Sequence, residues 1–106
     1  MAFIFRFQQI LQICLHEENE VKMRLAKKDG QIAEVNLRIK KFKDDYNAAL
    51  EQQTIDLQAG DIMKVQMYPA YLNTLQRSWE FEEEEVERLE KQREKILEEL
   101  LEKQRN

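Results

Sequence analysis

The residues with the most chemical reach in this 106-residue chain are the single histidine, His16, the single cysteine, Cys14, and the glutamate run Glu82-Glu83-Glu84-Glu85. A histidine beside a cysteine suggests zinc, which needs three or four nitrogen, sulfur or carboxylate donors converging on one point. Positions i and i+2 do not face each other on a helix, however. The run HEENE at 16–20 lacks the second histidine of a zinc-protease HExxH site. His16 therefore reads as a helical surface residue. The glutamate run could hold a hard cation only if its carboxylates converged, and four consecutive helical residues point in four directions. It reads as a solvated face. No glycine-rich phosphate loop and no GxSxG elbow occurs. The chain reads as a non-enzyme, with no catalytic residue, no cofactor and no metal ligand.

Composition bounds the rest. With 42% hydrophobic and 36% charged residues but only two glycines and one proline, the chain has the balance of long solvated helices and too few turn residues for a globule. Residues 1–60 carry nine basic and nine acidic side chains, and residues 61–106 carry eight and twelve, which places the whole net charge of −4 in the second half. No basic field exists to hold nucleic acid. A lone cysteine excludes an internal disulfide and points to a reducing, cytoplasmic setting.

Nine of the thirteen positions from Phe3 to Leu15 are apolar. Arg6, Gln8, Gln9 and Gln12 interrupt them, no small-residue cleavage site follows, and the segment turns polar at His16-Glu17-Glu18. A signal peptide and a spanning helix of about 20 apolar residues are both excluded. An amphipathic membrane anchor would need basic residues beside the apolar ones, and before Val21 only Arg6 qualifies.

The periodicity supplies the architecture. Ile4, Leu11, Glu18, Leu25, Ile32, Ile39 and Tyr46 form one row, and Phe7, Cys14, Val21, Lys28, Val35, Phe42 and Ala49 a second; twelve of these fourteen are apolar. Alternation by three and four is a coiled-coil seam. Val65, Leu72, Trp79, Val86, Arg93 and Leu100 form a third row, with Tyr68, Leu75, Glu82, Leu89, Ile96 and Lys103 beside it. The two frames are out of phase, so the seam is expected to break between about 50 and 62. Gly60-Asp61 lies there, with glycine to end one helix and aspartate to cap the next. The fold class is all-α: a single antiparallel coiled-coil hairpin over 1–106, arm one about 3–58, turn about 59–61, arm two about 62–105. Fifty residues of helix already span about 75 Å, so a rod is expected. Gly30 is a weak point within arm one. Pro69 should kink arm two or mark its true start.

Facing seam residues of an antiparallel pair have numbers of constant sum, and the frames allow 114 or 121. The sum of 121 sets Phe42 against Trp79, Val35 against Val86, Ile32 against Leu89 and Val21 against Leu100. It also sets Lys28 against Arg93 and Glu18 against Lys103, leaving only Ile39 against Glu82 mismatched. Stability should then rest on the aromatic half near the turn. Phe3 to Cys14 find no seam partner in this register. Outside the seam, Met63, Met67 and Tyr71 make a side stripe, open either to a folded-back linker or to a partner. The basic clusters at 22–28 and 38–43 read as solvated faces.

The opening FRFQQILQI, with Glu17, Glu18 and Glu20 after it, resembles the F-x-F-x-x-(L/I)-L start of the FliJ family. AGDIMKVQMYPAYLNTLQRS, at 59–78, is similar to that family's mid-chain segment. The resemblance implies a soluble component of the flagellar type III export apparatus, shaped like the stalk subunit of rotary ATPases. It implies insertion of the terminal end into the export ATPase hexamer, contact with the cytoplasmic domain of the export gate, and handling of export chaperones. Family members usually continue the second helix beyond the position of Asn106. Aromatic and arginine side chains dominate interface hot spots, so Phe3, Phe5, Arg6, Phe7 and Ile10 are the expected ATPase contacts, and Met63, Met67 and Tyr71 the expected gate or chaperone contacts. The implied location is cytoplasmic, peripheral to the inner membrane through the apparatus and without insertion into it. A stalk of injectisome-type secretion shares the architecture. A structural coiled coil that dimerises through its free N-terminal segment is the alternative from another class.

Overall fold

The computed structural model describes residues 2–105. It contains two helices, α1 (Ala2–Gln58) and α2 (Ile62–Arg105), which form an antiparallel hairpin. The connection is as short as the sequence requires. Gly60 adopts φ +77°, and its N–H bonds the Leu57 carbonyl at 3.1 Å while the Asp61 N–H reaches back to the Asp56 carbonyl at 3.0 Å. Those two bonds make a Schellman motif, which satisfies carbonyls that the end of α1 would otherwise leave open. Asp61 then caps α2: its Oδ1 accepts from the Lys64 N–H at 3.2 Å.

The chain divides into two compact units, Ala33–Glu87 and Met1–Ile32 with Arg88–Asn106. In the unit that holds the turn, Val35, Ala49 and Leu75 are buried, and Phe42, Tyr46, Tyr68 and Trp79 are half-buried. The Tyr46 ring meets Trp79 edge-on with centroids 5.1 Å apart, and Lys43 Nζ lies 6.0 Å from the Trp79 ring centre. Cross-helix partners here have residue numbers summing from 120 for Arg38 and Glu82 to 126 for Lys43 and Glu83. The 114 register would put Trp79 opposite Val35, about three helical turns from Tyr46, so the 121 register holds. The mismatch expected at Glu82 is resolved from the side, because Arg38 Nε and a terminal guanidinium nitrogen donate to its two carboxylate oxygens at 3.3 Å each.

The other unit keeps the same register. Val21, Leu89 and Leu100 are buried, with Leu25, Ile32 and Ile96 half-buried. Arg24 donates to Glu99 at 2.7 Å, Lys28 to Gln92 at 2.6 Å and Lys103 to Glu17 at 3.0 Å, and Arg93 donates to Asp29. Polar seam residues meet polar partners as expected, though one position aside from the strict pairs: Lys28 takes Gln92 rather than Arg93, and Lys103 takes Glu17 rather than Glu18. A long side chain in a seam reaches sideways to keep its charged end near water.

Four expectations need correction. The α1 seam does not break at 50; it runs in phase through half-buried Gln53 to Asp56, which is only 6% exposed. This carboxylate is satisfied where it sits, since Tyr68 Oη donates to Oδ2 at 2.6 Å and Gln52 Nε2 to Oδ1 at 3.0 Å. Those two donors hold Asp56 below the ordinary carboxylate range, and the same bond, with burial, pushes the Tyr68 hydroxyl up to about 12. Secondly, Pro69 does not mark the start of α2, which is helical from Ile62; its missing N–H leaves the Val65 carbonyl without its i+4 donor. Thirdly, no linker folds over Met63, Met67 and Tyr71, because the turn is too short to supply one. Lastly, the buried hydrophobic residues are aliphatic in both units, Val21, Val35, Ala49, Leu75, Leu89 and Leu100, while the aromatic seam residues near the turn are half-buried.

Three measurements follow. A Cβ at Gly30 meets nothing within 4 Å, so Gly30→Ala should stabilise by about 1 kcal/mol in urea titration. Leu89→Ala, at a buried seam position, should cost about 2–5 kcal/mol, whereas Glu84→Ala should stay within about 0.5 kcal/mol. For Tyr68 the folded pKa lies above the ordinary value of 10.0, so its contribution is whole below pH 10 and is lost as pH rises toward about 12. Asp56 works in the other direction, contributing above its ordinary value of 3.8 and losing that contribution as pH falls below it. Tyr68→Phe should lower the urea midpoint at neutral pH and flatten the alkaline loss; an unchanged alkaline limb would show that the bond to Asp56 is not what holds the proton.

Candidate partner-binding surfaces

The helix geometry of α1 sorts its first fourteen residues. At 100° per residue, Phe3, Ile4, Phe7, Ile10, Leu11, Cys14 and Leu15 share an arc about 140° wide. It is centred on the same side as Glu18, Val21 and Leu25 and therefore continues the seam in phase. All seven are exposed, Phe7 at 60% and Phe3 at 81%. Of the five residues expected to dock, Phe3, Phe7 and Ile10 belong to this arc. Phe5 does not: it stands about 150° from the centre of the arc, on the far side of the helix. Arg6 borders the arc next to Ile10 and Ile13. Sequence reading weighted aromatic type over helical phase, and so passed over Ile4, Leu11, Cys14 and Leu15 as site residues although the row assignment already contained three of them.

Where α2 comes alongside, Phe7, Ile10, Leu11, Cys14 and Leu15 line a groove closed at one end by Glu18, Lys103 and Gln104. The closing residues form a polar collar. Lys103 bonds Glu17, Gln104 donates to Glu18 at 3.4 Å, and Lys22 pairs with Glu18 at 3.0 Å. Lys22 and Gln104 lower the Glu18 pKa, and Glu17 raises that of Lys103. The collar keeps charge at the mouth of this apolar groove.

In the unit that holds the turn, Met63, Met67 and Tyr71 form one ridge at i, i+4 and i+8 of α2, exposed at 81% for Met63 and 73% for Met67. Ile55, Leu57 and Ile62 are exposed too. Methionine-rich exposed surface is adaptable and marks interaction sites. Phe81, 70% exposed among glutamates, escaped sequence reading; its position outside both seam rows was the available signal.

Within the basic clusters, Arg24, Lys28, Arg38 and Lys43 pair with α2 side chains, while Lys22, Lys27, Lys40 and Lys41 lie exposed on α1. His16 pairs with Glu20 at 3.1 Å on the surface. Among the described residues no group of three or more His, Cys, Asp or Glu is placed to hold a metal ion. Among them, too, no helix is long and apolar enough to cross a membrane.

No curated protein and no solved structure matches the chain. The family model described as Flagellar FliJ protein matches residues 3–106, a span that takes in the apolar stripe, the capped turn and the seam of both helices. By that match the chain belongs to the FliJ family, a non-catalytic component of the flagellar export apparatus.

Proposed function

We propose that this chain is the stalk of the flagellar type III export apparatus, a single hairpin over 1–106 that performs no catalysis itself and organises proteins that do. Its N-terminal stripe enters the ring of the export ATPase hexamer. The ridge of Met63, Met67 and Tyr71 receives the cytoplasmic domain of the export gate or an export chaperone. It works in the cytoplasm and meets the inner membrane only through the apparatus, in support of motility. The observation that carries this reading is the in-phase continuation of a coiled-coil seam onto exposed residues from Phe3 to Leu15. Exposed seam residues present knobs at the spacing another helical surface accepts. Family membership favours the flagellar system over an injectisome stalk.

The test separates stripe from far side. Phe7→Ala with Ile10→Ala should weaken capture of the export ATPase by about tenfold or more, with helix content and melting of the isolated chain nearly unchanged. Phe5→Ala, on the opposite side of α1, should have a smaller effect. Met67→Ala with Tyr71→Ala should spare ATPase capture and reduce binding of gate or chaperone. A stripe double substitution that melts the hairpin and leaves ATPase capture intact would refute the assignment.

A further inference from the structure

We infer that the ridge of Met63, Met67 and Tyr71 is one end of a longer groove that takes a basic amphipathic helix. The inference rests on the reading of that ridge as a gate or chaperone contact, and names the chemistry such a partner must bring. Helical phase extends the ridge. At about 100° per residue, Met63, Met67, Tyr71, Thr74, Ser78 and Phe81 share an arc of α2 about 80° wide. From Met67 onward they step by four, three, four and three, the spacing at which a coiled-coil partner seats its knobs. Met67 is 73% exposed, Tyr71 49% and Phe81 70%. Between them the hydroxyls of Thr74 and Ser78 already donate to the Ala70 and Thr74 carbonyls of the same helix, at 3.0 and 2.8 Å. A partner can cover both residues without stranding a donor.

The other wall comes from α1. Arg38 marks this side of α1 through its bond to Glu82, and Phe42 lines the groove with Thr74, Ser78 and Phe81. Asp45 and Gln52 follow Arg38 at seven-residue steps on the same side, with Ala48 and Ile55 just outside them. Charge then selects the occupant. Between Lys43 and Lys64 the chain has no basic residue and five acidic ones, Asp44, Asp45, Glu51, Asp56 and Asp61. Asp56 is held by Tyr68 and Gln52, and Asp61 caps α2. Asp45 has neither role: half-buried at the groove wall, it makes no ion pair or hydrogen bond among the described residues. Lys64 is the one cation near the turn, and its charge acts on Asp56. Lys41 and Arg77 stand toward the Phe81 end. A helix with apolar residues at three- and four-residue spacing and a lysine or arginine reaching Asp45 fits such a groove, whereas an acidic helix meets repulsion there.

From Met63 to Phe81 the groove runs about 27 Å, the length of about 18 helical residues. The probe is therefore a pair of helical peptides of that length with leucines in one three-and-four pattern, all remaining positions being lysine in the first and glutamate in the second. In fluorescence anisotropy with the full chain, the lysine peptide should bind about tenfold or more tighter than the glutamate peptide, and rising salt should weaken it. Phe81→Ala should weaken that binding about fivefold and Asp45→Lys about tenfold, while helix content and the urea midpoint stay unchanged. Glu98→Lys, the same change of charge at an exposed position of α2, should have a smaller effect. Equal binding of the two peptides would overturn the inference. So would lysine-peptide binding that neither Phe81→Ala nor Asp45→Lys weakens, or that Glu98→Lys weakens as much as Asp45→Lys does. Competition tests the gate or chaperone assignment separately. If the lysine peptide binds through Asp45 and Phe81 yet neither the gate domain nor a chaperone displaces it, the chemistry of the groove stands and the gate or chaperone assignment falls.

Discussion

A two-helix hairpin has a single interface, and everything else in this protein depends on how the seam of α1 meets that of α2. Most helical stability in proteins comes from tertiary packing along one face rather than from propensity. Here the face is narrow: the buried positions lie in the seam rows, with half-buried neighbours such as Asp45, Ser78 and Gln92 beside them. The buried hydrophobic set is aliphatic, Val21, Val35, Ala49, Leu75, Leu89 and Leu100, while the aromatic seam residues Phe42, Tyr46, Tyr68 and Trp79 are half-buried. The exposed ion pairs beside the seam add little stability individually.

Register is a separate matter from stability. An all-aliphatic seam tolerates a slip of one heptad, because apolar still meets apolar. Lys28 with Gln92, Glu82 with Arg38 and Asp56 with Tyr68 do not tolerate it. A slip would strand a charged or hydroxyl group against hydrocarbon, and an unsatisfied buried polar group is expensive. Polar seam positions that specify alignment at some loss of stability are a known use of such residues. Asp56 has the strictest role of the three, since its carbonyl also accepts the Asp61 N–H that closes the turn, so one residue ties seam alignment to turn geometry.

Most of the fold was legible because a heptad repeat and a Gly-Asp pair each have one dominant structural reading. The register was legible because the polar residues at 18, 28, 93 and 103 could be matched in only one alignment. Asp56 was not legible as a seam residue, because a carboxylate at a core position reads as the end of a repeat until its donors are known. One of those donors, Tyr68, lies on the far side of the turn. At the candidate surfaces, residue type misled where phase would have served. Phe5 looks like part of an aromatic trio, but two residues along a helix is a turn of about 200°, which sets it opposite Phe3 and Phe7. The ridge at Met63, Met67 and Tyr71 was readable as apolar, yet whether anything covered it depended on the brevity of a turn only three residues long.

The central claim is that the exposed seam residues from Phe3 to Leu15 receive the export ATPase. Amide hydrogen exchange on the isolated chain measures this residue by residue. Protection should be high around Val21, Val35, Leu75 and Leu89, fall away between Glu18 and Leu15, and rise across Phe3 to Leu15 when the export ATPase is added. Protection of Phe3 to Leu15 equal to that of Val21, Val35, Leu75 and Leu89 in the isolated chain, or no change there on adding the ATPase, would contradict it.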